Sequence, residues 1–599
     1  MPATRYILSH RILDAERSRV EQDNIDRLKQ RKRLTLLLDG WTDILGRELY
    51  GCVAAEINQY PIVLGLKDMT GVRTTGMNIF EAATTLLQRN DIRDGKNLLA
   101  VTTDNPSVMR NFRDRFQNEF YWVLTLPCFL HGLGNIIGAI AAFPVMKRIL
   151  AKATRIVAFF EGSHYWGGQL DEEAQKLGVT RSMKQNCESR WYALALQAVS
   201  IDAYRPALQM ICLRDEARRR INGLSPVAQD VINIVLYTTD FWPMLKQFHK
   251  TVAPLVDAIG NLESREATLA DCMLELIRCA RDFTRIPLER EENGGFWAHA
   301  KSTFNTRFHA MNTDVHQLAL FLHPLCRKLA IHQAAKERSL TFMLKTALRI
   351  AHQWRWDKQK AEGLVADMKT YHTCRGHFSG GGENGLEWWE SLPITSEAHP
   401  LKTLAIALFT VVPHAAEVER LFSQLGGVQT ARRCNLSVQN FEALGKIRAN
   451  LAYQLWEDER SKTGKIPRRR HAHMHTRAQP GIDSDLAKEI EENFTWHSPL
   501  AVQDIEQPTE VVRIEDMTEE EFEVEFERWE AQQQAEMGSD VQDLEIDGNE
   551  VLEGHVYDFE EFERVEKRTV VLSFESDAVV VAENAPQSVD WDVDTLADL

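Results

Sequence analysis

The stretch LTLLLDGWTD, residues 34–43, opens with the apolar run Leu34 to Leu38, typical of a buried β-strand, and continues into the carboxylate of Asp39. A charge at the end of a buried strand is costly unless another group pairs with it. A second apolar run, NLLAVTTD at 97–104, also ends in an aspartate, Asp104. Open α/β sheets place their binding sites at the carboxyl ends of strands, so these two carboxylates are candidates for one site.

The sequence around these two runs predicts an α/β fold. Apolar runs predict strands at 34–39, 49–58, 60–69, 97–104 and 122–129, and helical spacing predicts helices at 78–90 and 106–120. The resulting order, β-β-β-α-β-α-β, describes an antiparallel meander followed by parallel strands joined by helices.

The whole chain divides by composition into six predicted regions. Amphipathic spacing without alternating runs predicts an all-α region after the strands, and the stretch SGGGENG at 379–385 interrupts it. The regions are a helical leader (1–33), the first part of the core (34–140), an all-α insertion (141–380), a second helical part (386–455), a basic linker (456–481) and an acidic, largely disordered tail (482–599).

The net charge of −16 hides a strong asymmetry. Residues 481–599 hold 36 acidic and 6 basic residues, a net of −30, whereas the preceding 480 residues hold 50 acidic and 64 basic residues, a net of +14. A basic body with an acidic tail indicates a polyanionic partner and a tail that binds the body in competition with it, or binds another protein. A solvated tail on an ordinary enzyme fits the same composition.

Composition also excludes some classes of protein. The nine cysteines form no CxxC pair, which favours a reducing compartment over a secreted disulfide scaffold. The longest apolar stretch, 126–146, contains His131, Asn135 and Pro144, so it is interpreted as core and no membrane association is expected. The sequence has no four-ligand spacing of cysteine and histidine, so no structural zinc is predicted.

Two strand-end carboxylates brought side by side repel each other, and a divalent cation relieves that repulsion. Oxygen ligands favour Mg²⁺ or Mn²⁺. Asp39 and Asp104 could instead cap the turns that follow them, because Asp-Gly and Asp-Asn are common turn pairs.

Several stretches together resemble the hAT family of DNA transposases, whose catalytic core has a ribonuclease H-like fold. LLLDGWTD (36–43) and VTTDNPSVMRNF (101–112) resemble its two aspartate strands, PCFLHGLGNII (127–137) its Cys-x-x-His segment, and SRWYAL (189–194) its Arg-Trp motif. The longest similarity is 386–451, LEWWESLP to IRANL, which resembles the C-terminal hAT dimerisation region.

The resemblance implies a third acid, Glu419, in VERLFS, with Asp39 and Asp104 holding two Mg²⁺ (or Mn²⁺) ions. The implied chemistry is phosphodiester hydrolysis followed by attack of a DNA 3′-OH on a target strand. The apolar stripe of Val418, Leu421, Phe422 and Leu425 predicts that Glu419 lies on the flank of a buried helix face. Glu417 is predicted on the more exposed side and is the second choice.

Further residues are assigned to DNA or to self-association. The resemblance implies DNA contacts for Arg190 and Trp191 and a position near the pocket for His131, although packing roles explain these residues as well. The run KIPRRRHAHMHTR (465–477), with Arg468, Arg469 and Arg470, fits a phosphate-contact patch, a nuclear localisation signal or a plain linker. A stripe of four residues after the N-cap Ser437 predicts either core or a homo-oligomer interface: Phe441, Leu444, Ile447 and Leu451.

The sequence carries no BED zinc finger before the core, in contrast to many members of the hAT family. Two functions therefore stay open. The first is a metal-dependent, nuclear DNA transposase or a protein derived from one. The second is a catalytically idle, host-adopted protein that binds DNA and dimerises.

Overall fold

A five-stranded sheet follows the first helix of the chain, with the strand order β3-β2-β1-β4-β5. The strands are β1 Leu34–Thr42, β2 Glu48–Ala55, β3 Ile62–Asp68, β4 Leu98–Thr103 and β5 Leu124–Pro127. β1, β2 and β3 pair antiparallel, whereas β4 runs parallel to both β1 and β5. The computed structural model describes residues 11–184, 192–220, 225–290, 292–331, 339–429, 436–467, 482, 484–493 and 589–598.

Helices make up most of the remaining described residues. Those that flank the strands or precede residue 200 are α1 Leu13–Gln30, α2 Gly76–Arg89, α3 Ser107–Glu119, α4 Phe129–Ala141, α5 Pro144–Gly162, α6 His164–Lys176 and α7 Tyr192–Leu213. The next are α8 Asp215–Arg218, α9 Gln229–Leu236, α10 Phe241–Leu262, α11 Leu269–Arg285, α12 Gly294–Met311, α13 Asp314–Leu322, α14 Arg327–Ala330, α15 Leu340–Gln353 and α16 Lys358–His372. A 3₁₀ turn, Gly376–Phe378, precedes α17 Gly385–Ser391, α18 Pro400–Thr410, α19 Ala416–Gly426, α20 Val438–Thr463, α21 Ser484–Asn493 and α22 Val593–Ala597.

The central strand β1 is buried on both faces, which explains its unbroken apolar run. Because successive side chains alternate between the faces, Leu34, Leu36 and Leu38 belong to one core cluster, with side chains of α2 and α3. Leu37 belongs to the second, larger cluster, which extends through α4 into the helical region. Thr35 and Asp39 share the face of Leu37, the face on which α19 packs.

The prediction of an α/β class is confirmed, and the five expected strands and the helices between them are present. Between residues 144 and 378, the described residues form helices and their connections and include no strand. None of the described helices is by itself long and apolar enough to cross a membrane; α4 and α5 pass that test only as a pair, and the pair is bent by 100°.

Two predicted boundaries were wrong. β1 does not end at Asp39 but continues to Thr42, because Gly40 to Thr42 pair with the start of β2. The helix predicted to end at 455 continues to Thr463, where Trp456 is buried against Tyr60. Within the tail predicted as largely disordered, the described residues form α21 and α22, whose apolar side chains dock on the body; the intervening residues 494–588 lie outside the described residues.

Candidate metal centre

Parallel pairing brings the ends of β1 and β4 together. The last residues that pair between β1 and β4 are Leu38 and Thr103. Asp39 and Asp104 are the next residues after this pair, one on each strand. On the other side of β1, Asp39 pairs with Gly51 of β2. The sheet therefore presents both carboxylates at one edge, as the sequence predicted.

A short segment before α19, residues 411–415, lies across this face of the sheet. The Thr35 hydroxyl accepts a hydrogen bond from the Val412 N–H at 3.0 Å, and the Thr102 hydroxyl donates one to the Val412 carbonyl at 2.8 Å. The Cys128 sulfur accepts one from the Ala415 N–H at 3.3 Å. These bonds join β1, β4 and the start of α4 to the segment that leads into α19.

Gly51 lets α19 approach the sheet closely. A Cβ added at Gly51 would lie 2.8 Å from the Phe422 ring and 3.3 Å from Val418. The Phe422 ring also stacks on Trp41, with ring centroids 5.4 Å apart. Because Gly51 is the register partner of Asp39, this contact brings the first turn of α19, and with it Glu419, to the carboxylate edge.

The resulting site contains three potential ligand atoms. One oxygen of Asp39, one nitrogen of His131 and one oxygen of Glu419 all lie within 4.8 Å of one another. The His131 Nδ1 to Glu419 Oε1 distance is 3.9 Å. Asp104 lies outside this group of three, but its Oδ1 is buried and, like His131 Nδ1, has no hydrogen-bond partner among the described residues.

The pKa values show how the groups affect one another. Burial raises the pKa of Asp39 to about 7; His131 opposes this rise, and the like charges of Asp104 and Glu419 add to it. Burial also raises the pKa of Asp104, against the pull of His131 and Arg113. Burial alone would lower the pKa of His131, but the Cys128 sulfur and the carboxylates of Glu419 and Asp39 hold that pKa well above its usual value.

These features fit a divalent cation. Close carboxylates whose charges are destabilised by burial and by each other need positive charge, and the unpartnered Asp104 oxygen can accept a metal bond. A protonated His131 supplies part of that charge when no metal is bound. Two carboxylates with one imidazole favour Mn²⁺ or Mg²⁺ with oxygen ligands completing the shell, and the nitrogen donor favours Mn²⁺ of the two.

Glu417 has a different role from the one predicted for it. It is buried, not exposed, and accepts hydrogen bonds from Arg265 (Nε to Oε1, 2.7 Å) and from Arg420. Burial would raise the pKa of Glu417, but the two guanidinium groups lower it to about 2. Arg420 also donates to the Glu263 carbonyl at 2.6 Å, so this ion cluster ties α19 to the end of α10.

The remaining predicted residues are dispersed or outside the described part of the chain. Arg190, Trp191, Arg468, Arg469 and Arg470 lie outside the described residues. On α20, Phe441 is fully buried and stacks on Trp41 with centroids 5.9 Å apart, which is the core alternative of the two predicted for this stripe. Leu444 and Ile447 are half-buried, and Leu451 is 52% exposed.

Two neighbours of the site were not predicted. Arg113, on α3, donates to the Asp104 carbonyl and to the Thr103 hydroxyl, both at 2.7 Å, and so holds the loop that carries Asp104. Tyr50 pairs with Gly40, and burial together with the Asp104 and Asp39 charges raises its pKa to about 12. Neither residue has a sequence signal beyond its position on α3 or β2.

Comparison of the chain with protein-family models and with curated proteins found no match.

Proposed function

We propose that this protein is a metal-dependent enzyme that cleaves and joins DNA strands, an hAT-like transposase or a protein derived from one, with a ribonuclease H-like core. The observation that carries the proposal is the convergence of Asp39, His131 and Glu419, within 4.8 Å, at the sheet edge that also bears Asp104. The strand order β3-β2-β1-β4-β5 and the resemblance of the aspartate strands support it.

The residues of the chain have separable roles in this proposal. Asp39 and Glu419 hold the cation, and Asp104 offers a further oxygen. When bound, the ion stabilises charge on a phosphodiester and lowers the pKa of a water molecule. His131 Nδ1 lies 3.9 Å from Glu419 Oε1, where the imidazole can add a nitrogen ligand to the cation or, without metal, carry a proton beside the carboxylates. Arg113 and the threonine contacts keep the carboxylates aligned.

DNA is the proposed substrate because the body is basic. Residues 1–480 carry a net charge of +14, and polyphosphate backbones are bound through such charge. Nuclear localisation and contacts from Arg190, Trp191 and Arg468 to Arg470 belong to the same proposal.

The test has two readouts on the full-length protein. Mn²⁺ binding, followed by electron paramagnetic resonance, should weaken at least about tenfold in Asp39→Asn and in Glu419→Gln, because each removes a charged ligand. Nicking of supercoiled plasmid DNA in Mg²⁺ or Mn²⁺ should be lost in both. Glu119→Gln, a matched change at an exposed position on α3, is the control and should alter neither.

The outcomes separate the two functions. Wild-type protein that binds DNA and Mn²⁺ but never cleaves would favour the catalytically idle, DNA-binding alternative. Unchanged Mn²⁺ affinity in Asp39→Asn and Glu419→Gln would refute the metal centre itself.

A further inference from the structure

The end of the chain docks on the helical region. Residues 589–598, here called the C-terminal segment, consist of a short extended stretch followed by α22. Trp591, Leu596 and Ala597 are buried, whereas four acidic residues before, between and after them are exposed: Asp590, Asp592, Asp594 and Asp598. The segment thus has an apolar side against the protein and an acidic side toward solvent.

The surface that receives it is formed by α15, α16 and the turn between them, here called the receiving groove. The Trp591 indole Nε1 donates a hydrogen bond to the Trp356 carbonyl at 2.8 Å, and its ring meets His352 edge to face at a centroid distance of 5.3 Å. At the rim of the groove, Lys345 Nζ lies 2.6 Å from Asp594 Oδ1.

These contacts are those of a peptide-recognition site. A buried tryptophan whose N–H has a partner is a typical binding hot spot, because its large ring is desolvated without leaving a polar group unpaired. The Lys345–Asp594 pair is exposed, so it contributes orientation and charge selectivity more than affinity. Asp592 caps α22, accepting a hydrogen bond from the Thr595 N–H at 2.9 Å, which stabilises the bound shape.

The position of the segment in the chain adds to this argument. The 95 residues 494–588 separate it from α21, and they carry 27 acidic and 5 basic residues. The described contacts with the groove come from the segment itself, through Trp591 and Asp594. A short motif with one anchor, held at the end of a long acidic stretch, has the organisation of a tethered ligand.

We propose that the receiving groove is a binding site for acidic peptides anchored by one tryptophan, that the C-terminal segment of the same chain is its resident ligand, and that a free peptide of the same chemistry displaces it. Trp591 is the anchor, Leu596 adds a second buried apolar contact, and Lys345 selects an acidic residue three positions after the tryptophan. Occupation in cis holds the far end of the acidic tail on the basic body.

The experiment uses a fluorescein-labelled peptide of residues 588–599, SVDWDVDTLADL, and the full-length chain. In the wild type, the resident segment competes at the high effective concentration of a tether, so the peptide binds weakly. In the full-length Trp591→Ala variant the groove is vacated, and the peptide should bind at least about 30-fold more tightly than to the wild type. The same peptide carrying Trp591→Ala should bind neither protein.

A charge exchange tests the groove itself. The chain that carries both Lys345→Glu and Trp591→Ala should bind the wild-type peptide more weakly than the Trp591→Ala chain does. A peptide with Asp594→Lys should bind this double variant more tightly than the wild-type peptide does. Should the Trp591→Ala chain fail to fold, as judged by its thermal midpoint, the full-length Asp594→Lys chain replaces it, because Asp594 is exposed. This substitution weakens the docked segment without emptying the groove, so the gain in peptide affinity should then be only a few-fold.

Equal peptide affinity for the wild-type and vacated chains would overturn the proposal, and so would absence of binding to a folded, vacated chain. Sedimentation velocity of the protein without peptide tests a further case, in which the segment docks on another molecule. A dimer that is present in the wild type and lost in Trp591→Ala would show that the segment docks on a second copy, which contradicts occupation in cis.

Discussion

Two glutamates, two residues apart on α19, have opposite environments. Glu417 is buried between Arg265 and Arg420, which lower its pKa to about 2, whereas Glu419 lies beside Asp39 and His131. A buried carboxylate crowded by like charges is held at a cost in stability, whereas removing one partner of a buried ion pair is strongly destabilising.

We therefore expect Glu417→Gln to lower the free energy of unfolding by about 3 kcal/mol, since it leaves the half-buried Arg265 without its carboxylate partner and the buried Arg420 with only its longer pair to Glu263, at 3.3 Å. Glu419→Gln is the matched control on the same helix and should change that free energy by less than about 1 kcal/mol, in either direction. Urea denaturation followed by circular dichroism measures both. Equal losses in the two variants would show that α19 depends on both charges.

Two buried histidines make the helical region sensitive to acid. Burial lowers the pKa values of His316 and His323 to about 4. In the unfolded chain the same groups titrate near pH 6.5, so between pH 6.5 and 4 the unfolded state binds protons that the folded state does not. Stability is therefore intact above pH 6.5 and falls as the pH is lowered toward 4, by up to about 3 kcal/mol for each histidine.

The thermal midpoint measured from pH 7.5 to 4.5 checks this expectation. His323 donates a hydrogen bond from Nε2 to the Glu383 carbonyl and accepts one at Nδ1 from the Leu325 N–H. His323→Gln should reduce the pH dependence because glutamine does not titrate. It should also lower the stability at pH 7.5, because these two hydrogen bonds are disturbed. His164→Gln, at an exposed position, is the control and should leave the pH dependence as it is in the wild type.

At the scale of elements, the contact between α19 and β2 decides whether the site forms. Gly51→Ala would place a Cβ 2.8 Å from the Phe422 ring, which is itself held by stacking on Trp41. We expect a loss of about 1–3 kcal/mol in stability from overpacking and a larger proportional loss of Mn²⁺ binding, because Glu419 moves with α19. Gly162→Ala, where no atom lies within 4 Å of the added Cβ, should be close to neutral. Intact Mn²⁺ affinity in Gly51→Ala would show that Glu419 is positioned by other contacts.

The second half of α20 is the part of that helix available for self-association. Leu451 and Leu455 are 52% and 72% exposed there, whereas Leu444 and Ile447, in the first half of the helix, are half-buried. We propose that this half of the helix, and not Phe441, contributes to a homo-oligomer interface. Leu451→Glu should then lower the association constant in analytical ultracentrifugation, while Phe441→Ala should destabilise the fold by about 3–5 kcal/mol. A wild-type protein that remains a monomer at all concentrations would refute the interface.

For the whole molecule, the separation of charge predicts competition between the acidic tail and DNA. The tail carries −30 and the body +14, and α21 already contacts the body through Glu489, which pairs with Arg281 and Arg285. We expect a chain that ends after Asn493 to bind duplex DNA more tightly than the full chain at low salt, with the difference closing as salt screens the charges. Identical affinities across the salt series would indicate a solubilising tail or one that binds another protein.

The sequence by itself determined the elements and the two strand-end carboxylates, because hydrophobic periodicity and burial of a strand are local properties of the chain. It also placed Asp39 and Asp104 at one sheet edge, since parallel strands present the same ends. Only the tertiary structure decided which glutamate of α19 reaches that edge, because Glu417 and Glu419 differ in partners that lie more than 150 residues away, Arg265 and His131. The same holds for Phe441 and for Trp591, whose burial depends on surfaces built by distant segments. Hydrophobic periodicity shows which face of a segment is buried, but it does not show which distant segment covers that face. Contacts between residues far apart in sequence are therefore decided only when the elements pack.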